Sequence, residues 1–272
     1  MCRQALAQPQ PITSPTVARF PASPAAGAPD TAVDIGLWQE YDTSTNDSGT
    51  VVPQKVFVLG TTTVSGVPQL TLARYSLSGG LEASTTWPGT YSTDSFRAAK
   101  AMTIPIVPTG TTAGETPQIY VAALVDGAAA TSDIAVLAYN FNLKLLWMKT
   151  YNYVDPTAPY EWFGDDEPVA ITTDQSLDIM NGIGGAGLLD YSIIAVLGSS
   201  QGYSTGKDWV TLAYNKNDGC QIMEARHASS GNATDTPIRI KPGAGISSVA
   251  MRRNAPSPNT TASTLKNRKP VM

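Results

Sequence analysis

The sharpest reactive pattern in the sequence is Gly198-Ser199-Ser200-Gln201-Gly202, a G-x-S-x-G run followed in chain order by Asp208 and then His227. In a serine hydrolase such a run presents the serine Oγ on a strained turn between a strand and a helix, and the acid and histidine activate it. Residues 209–214 read as a strand instead, so the run also fits a hairpin loop. On that reading His227 packs or lines a polar edge.

Three further patterns invite chemistry. Gly182-Ile183-Gly184-Gly185-Ala186-Gly187 satisfies G-x-G-x-x-G, yet the glycines cradle a pyrophosphate only where a helix begins at them. Residues 188–197 are β-like, so a flexible insertion loop fits better. Asp165, Asp166 and Glu167 group several carboxylates that could face Ca²⁺, although no alternating ligand spacing accompanies them. A solvated turn explains them equally. The aromatic insertion that contains Tyr153, Tyr160, Trp162 and Phe163 mixes rings with acids and Pro, and such a loop can stack on a sugar or anchor a protein partner. It could also fold back over an apolar sheet face. Sequons at Asn46, Asn232 and Asn259 carry little weight in a chain so rich in Ser, Thr and Asn.

The elements that must position these residues follow from composition and periodicity. The chain has 272 residues, 42% hydrophobic and only 15% charged, with 23 Gly and 20 Pro. That length can bury a sizeable core, and the Gly, Pro, Ser and Thr content disfavours helices. No apolar run approaches the length of a membrane helix. Net charge is −4, and the only markedly basic stretch is 251–272, so the body is acidic and nucleic acid is an unsuitable partner. Cys2 and Cys220 make neither a disulfide framework nor a metal spacing. The start of the chain has no full signal peptide, although Ala5-Leu6-Ala7 before Gln8 has the small-residue pattern of a cleavage site.

A strand ending in Tyr75 recurs ending in Tyr139 and again in Tyr214, each time followed by turn residues. Another strand precedes each copy at matching distance, from Gly60, Ala123 and Gly198. Third runs follow at 82–87, 145–151 and 221–227, and Asp-led runs at 94–102, 166–172 and 235–240 are read as the fourth strand of each unit. A partial extra copy opens the region, where Asp34 to Asp42 echoes Asp208 to Asn215. Four short antiparallel strands repeated along a chain describe propeller blades. Insertions at 105–118, 153–165 and 176–192 lengthen the repeat.

The third copy, 197–215, with Glu224-Ala225-Arg226-His227 and Gly231-Asn232 after it, resembles the Trp-bearing β-propeller repeats of exported bacterial proteins, whose blades are quinoprotein-like. The middle copy adds Leu146-Trp147, Tyr151-Asn152 and Gly164-Asp165-Asp166-Glu167. Met223 and His227 stand where the family's repeats carry Trp and Tyr. The resemblance implies secretion or surface display and a binding or scaffolding role. It assigns no catalytic residue, and no ligand set for a quinone cofactor is present.

The expected fold is all-β, with β-propeller-type four-stranded blades in three to four repeats, incomplete or open. A Pro/Ala-rich disordered lead at 1–32 and a basic disordered tail at 251–272 flank the repeat domain at 33–250. Blade packing is expected to rest on Phe57, Val58, Leu72, Tyr75, Val121, Leu137, Tyr139, Trp147, Ile171, Val196, Leu212 and Tyr214. The expected function is a non-enzymatic, extracellular or cell-surface binding or scaffold module. Its loops, with Tyr153, Tyr160, Trp162 and Phe163, would contact a protein or glycan ligand, and its open sheet edges would permit self-association. No cofactor is expected. The alternatives are a serine hydrolase using Ser200, Asp208 and His227, and a fragment of a larger propeller protein.

Overall fold

The computed structural model describes residues 31–41, 51–87, 95–105, 107–108, 119–127, 130–173, 193–228, 234–241 and 248–253. Among them every regular element of length is a strand, and no α-helix occurs.

The first sheet is a meander of β1 (Thr31–Tyr41), β2 (Val51–Val64), β3 (Val67–Ser76) and β4 (Leu81–Trp87), with two-residue β6 (Val107–Pro108) lying parallel beside β1. A second consists of β5 (Phe96–Thr103), β7 (Ile119–Asp126), β8 (Ser132–Tyr139) and β9 (Leu145–Tyr151). The third holds β10 (Asp166–Thr173), β11 (Ile193–Gly202), β12 (Gly206–Asn215) and β13 (Gln221–His227). A two-stranded sheet of β14 (Asp235–Lys241) and β15 (Ser248–Arg253) follows. Strand residues thus reach Thr31 and Ala32 at one end and Met251 to Arg253 at the other, inside stretches whose composition reads as disordered.

The expected four-stranded grouping is shifted by one strand. The Asp-led runs do not close each unit; they are β5, β10 and β14, the leading strands of the following sheets. Likewise Asp34 lies in β1, a leading strand, and does not correspond to β12. The grouping is ambiguous from sequence because a strand that follows a hairpin alternates in the same way whether it extends that sheet or opens the next. What the leading strands share is a bulge, where the ladder slips between Ala32 and Asp34, Phe96 and Ala98, Pro168 and Ala170, and Pro237 and Arg239. In β10 and β14 the residue just before the bulge is a proline, Pro168 and Pro237, which suits a position where the regular ladder is about to be interrupted.

The tyrosine-ended hairpins do recur. Tyr75, Tyr139 and Tyr214 pair with Val56, Ile119 and Ile194 in matching register. After each tyrosine comes a polar residue whose side chain accepts from the turn: Ser76 Oγ from Gly80 N, Asn140 Oδ1 from Lys144 N, and Asn215 Oδ1 from Asn217 N. The turn then requires a left-handed residue, supplied by Gly79, Leu143 and Gly219. In the β2–β3 hairpin, Ser65 and Gly66 both have positive φ, as a two-residue type I′ turn demands.

The sheets pack face to face. Phe57, Leu59, Leu70, Leu72 and Trp38 of the first sheet bury against Val121, Leu137, Tyr139 and Met102 of the second. The second sheet turns Tyr120, Ala122, Ile134 and Val136 to Ile171, Val196, Leu212 and Tyr214 of the third. A smaller cluster joins Leu197 and Trp209 to Ile240 of β14. Both faces of the middle sheets are therefore apolar, which is why β7, β8 and β11 read as nearly continuous hydrophobic runs. Of the twelve expected packing residues, Val58 and Trp147 are half-buried and the others buried.

Candidate functional site

The end of the third sheet gathers most of the residues singled out by sequence. Asp166 on β10, Ser200 on β11 and Asp208 on β12 stand directly opposite one another across the strands. All three are buried. Arg226, opposite Val210 on β13, reaches back along the same face. Its guanidinium donates to Ser200 Oγ, to Ser200 O at 3.3 Å and to Asp208 Oδ2 at 3.1 Å. Thr205 Oγ1 adds a 2.6 Å bond to the same Asp208 oxygen.

This arrangement does not assemble a hydrolytic triad. Ser200 lies within a continuous strand, a three-residue turn and a second strand follow, and its hydroxyl oxygen is occupied by a cation, which opposes formation of a nucleophile's base contact. His227 pairs with Trp209, so side-chain alternation sends it to the opposite face from Asp208 and Ser200. There it packs on the Trp209 ring, 5.1 Å between centroids. It fills the register slot that Tyr151 holds opposite Ile134 in the second sheet.

The three carboxylates weighed as metal ligands diverge. Asp165 Oδ1 accepts from Ser132 N at 3.0 Å and Ser132 Oγ at 3.1 Å, Asp166 Oδ2 from Tyr153 N at 2.7 Å, and Glu167 Oε1 from Lys100 at 2.6 Å. Each pins a different neighbour, and among the described residues no group of His, Cys, Asp and Glu is set to hold a metal ion. Asp166 is the unusual member. Burial pushes its carboxyl up to about 6, although the Tyr153 N–H, the nearby Ser200 hydroxyl and Arg226 all favour the anion.

Residues 152–165 form the loop beside this row. Val154 and Phe163 bridge it, and Asp155 staples it to the β11–β12 turn: Oδ1 accepts from Thr157 N and Oγ1 at 2.9 and 2.7 Å, and Oδ2 from Tyr203 N at 2.9 Å. Those donors, the Thr157 hydroxyl foremost, hold the Asp155 carboxyl below its usual range. Gly164 lies so close to the Gln201 carbonyl that no side chain would fit there.

The staple brings a residue the sequence reading missed, Tyr203, against two that it named. Trp162 and Tyr203 rings lie 5.4 Å apart at 72°, Tyr160 and Tyr203 5.7 Å apart at 82°, and Tyr160 and Trp162 6.4 Å apart at 59°. Tyr160 is 58% exposed and Tyr203 40%. Tyr203 sits in the turn of the G-x-S-x-G hairpin, 48 residues along the chain from the Asp155 that its N–H bonds, so no local signal ties it to the aromatic loop. Tyr153 and Phe163 are not part of this group. Tyr153 lies under Arg226, 3.4 Å from guanidinium carbon to ring centroid, and packs on the core between the second and third sheets. Phe163 is half-buried at the bridge.

Gly182 to Gly187 and the sequons at Asn46, Asn232 and Asn259 lie outside the described residues. No family model matches the chain, and no curated protein matches it.

Proposed function

We propose that this chain is a non-enzymatic binding or scaffold module, exported or surface-associated, whose sheets serve as blades of a β-propeller-type unit. The neighbouring of leading strands β1, β5, β10 and β14 in chain order supports the blade reading, because the innermost strands of successive blades lie side by side. The resemblance to exported repeat proteins supports the location.

One observation carries the binding role: the aromatic group of exposed Tyr160 and Tyr203 around half-buried Trp162. Tyr203 meets Trp162 and Tyr160 edge to face at 5.4 and 5.7 Å, and Tyr160 and Trp162 are tilted to each other at 6.4 Å, leaving no gap between them for a caged cation, so a ligand would meet the outer ring surfaces. The Asp155 staple fixes the loop before any ligand arrives, which reduces the ordering entropy of binding. A sugar ring or an apolar protein side chain fits such a surface.

Glycan and protein arrays probed with the full chain test this. Hits are expected, and they should disappear for Tyr160→Ala with Tyr203→Ala while the far-UV circular dichroism stays unchanged. Hits that survive both substitutions would remove the aromatic surface from the reading. Ester or glycoside hydrolysis abolished by Ser200→Ala would replace it with an enzyme.

A further inference from the structure

The aromatic group lies at one end of the stack of sheets, and β1 begins at that same end. Thr61, which pairs with Thr31, accepts from Ala99 N through its Oγ1, and Asp34 accepts from Met102 N through its Oδ2. Three residues of advance along β1 thus match three along β5, so the two strands run in the same direction. Asp165 accepts from Ser132, which pairs with Asp126 beside Ser95, and Glu167 accepts from Lys100. That sets β10 in the same direction again. Thr31, Phe96 and Asp166 therefore open their strands at one end, and the loop with Tyr160 and Trp162 runs directly into Asp166.

The sequence before Thr31 is rich in proline and contains Arg19-Phe20-Pro21-Ala22-Ser23-Pro24. Pro-x-x-Pro segments dock on aromatic rings as polyproline II helices, which lose little freedom on binding. Their two prolines stand on one side of that helix, about 9 Å apart. Tyr160 and Tyr203 offer two exposed rings 5.7 Å apart at 82°, so their outer faces diverge and each can receive one proline. Glu161, exposed and set between Tyr160 and Trp162 in the chain, supplies a carboxylate for Arg19. Residues 1–30 carry Arg3 and Arg19 against a single acid, Asp30, so charge draws them toward the acidic body. The segment also reaches. From β1 across β5 to β10 is two sheet spacings, about 20 Å, and the chain from Pro24 to Thr31 extends up to about 23 Å.

We propose that Arg19 to Pro24 of this chain dock on the surface of Tyr160, Trp162 and Tyr203, with Arg19 against Glu161. The inference rests on that surface being a binding site and names its resident occupant, which an outside ligand must displace. A short tether holds the segment at an effective concentration of about 1 mM. Even an intrinsic dissociation constant of about 100 µM then keeps the surface about nine-tenths covered and weakens an outside ligand about tenfold.

Brief trypsin digestion of the full native chain, read by mass spectrometry, gives the test, because Arg19 lies inside the docked segment and Arg3 outside it. Cleavage after Arg19, taken relative to Arg3, should be about tenfold faster in Tyr160→Ala with Tyr203→Ala than in the wild type, with circular dichroism unchanged. Pro24→Ala, which leaves the sheets untouched, should expose Arg19 in the same way. Protection should not vary with chain concentration. Equal cleavage after Arg19 in the wild type and the aromatic variant overturns the proposal; array hits that still depend on Tyr160 and Tyr203 would then leave the binding surface standing without this occupant. Protection that survives the aromatic substitutions overturns it too, since the segment then docks elsewhere. Protection that grows with concentration assigns the segment to a second copy and likewise overturns it.

Discussion

Arg226 lays its guanidinium over the Tyr153 ring at 3.4 Å while its donors reach Ser200 and Asp208, so one side chain from the outermost strand of the third sheet ties down the loop between the second and third sheets. The side chain is mostly enclosed, and so is its partner Asp208. Losing the cation would leave a buried carboxylate with half its partners and Ser200 without its donor. Arg226→Ala is therefore expected to cost about 3 kcal/mol in urea unfolding, near the lower end for a broken buried pair. Arg226→Lys should recover only part of it, because an ammonium cannot reach two acceptors while stacking flat on a ring.

Ser200 is the residue whose sequence context suggests most and whose surroundings permit least. A fluorophosphonate probe, which labels activated serines, should leave the native chain unmodified at Ser200, as peptide mass spectrometry would detect. Ser200→Ala is expected to lower stability by about 1 kcal/mol through the lost hydrogen bond to Arg226. Native labelling at Ser200 would contradict the buried, cation-engaged geometry.

Strand content, the three tyrosine hairpins and most core positions were legible because they depend on local alternation and turn chemistry, which sequence encodes directly. Grouping strands into sheets was not. A strand that follows a hairpin can extend the same meander or begin the next sheet, and hydrophobic alternation is the same for both. The bulge could have decided it: Asp30-Thr31-Ala32-Val33-Asp34-Ile35, Asp166-Glu167-Pro168-Val169-Ala170-Ile171 and Asp235-Thr236-Pro237-Ile238-Arg239-Ile240 share an opening Asp, a bulge at the fourth residue and a closing Ile. The second sheet hides the pattern, since β5 slips twice, at Arg97 and at Lys100. At the aromatic loop, Tyr160 and Trp162 were visible as a cluster, whereas Tyr203 joins them only through the long-range bond to Asp155, which no local rule predicts.

Close approach between sheets sets the cost of adding a methyl group. A Cβ on Gly198 would meet Ile134 Cδ1 at 2.7 Å and the Glu167 carbonyl oxygen at 2.8 Å. The second of these is backbone in the paired strand and cannot swing aside. At Gly36 the contacts are the ends of flexible side chains, Ile104 Cδ1 at 2.8 Å and Met102 Cε at 3.1 Å. Gly198→Ala should thus destabilise by about 2 to 3 kcal/mol and Gly36→Ala by about 1 or less, measured by chemical denaturation. A reversed order would mean that the Glu167 carbonyl gives way at Gly198 or that Ile104 and Met102 do not give way at Gly36.

Asp166 gives the fold a pH dependence of definite sign. Its carboxyl is pushed from the ordinary 3.8 up to about 6 by burial, so the native state holds its proton more tightly than the unfolded chain does. Between those values the native state binds more protons, and stability falls as pH rises. The contribution is fully present below about pH 4 and gone above about pH 6. Two units correspond to roughly 3 kcal/mol as an upper figure. Asp166→Asn keeps an acceptor for the Tyr153 N–H and cannot ionise. The difference in unfolding free energy, wild type minus Asp166→Asn, should therefore become steadily less favourable to the wild type from pH 4 to 6 and then level off. A difference that is flat across this window would mean that Asp166 titrates near its unfolded value, with water reaching the carboxylate that the row of Ser200, Asp208 and Arg226 encloses.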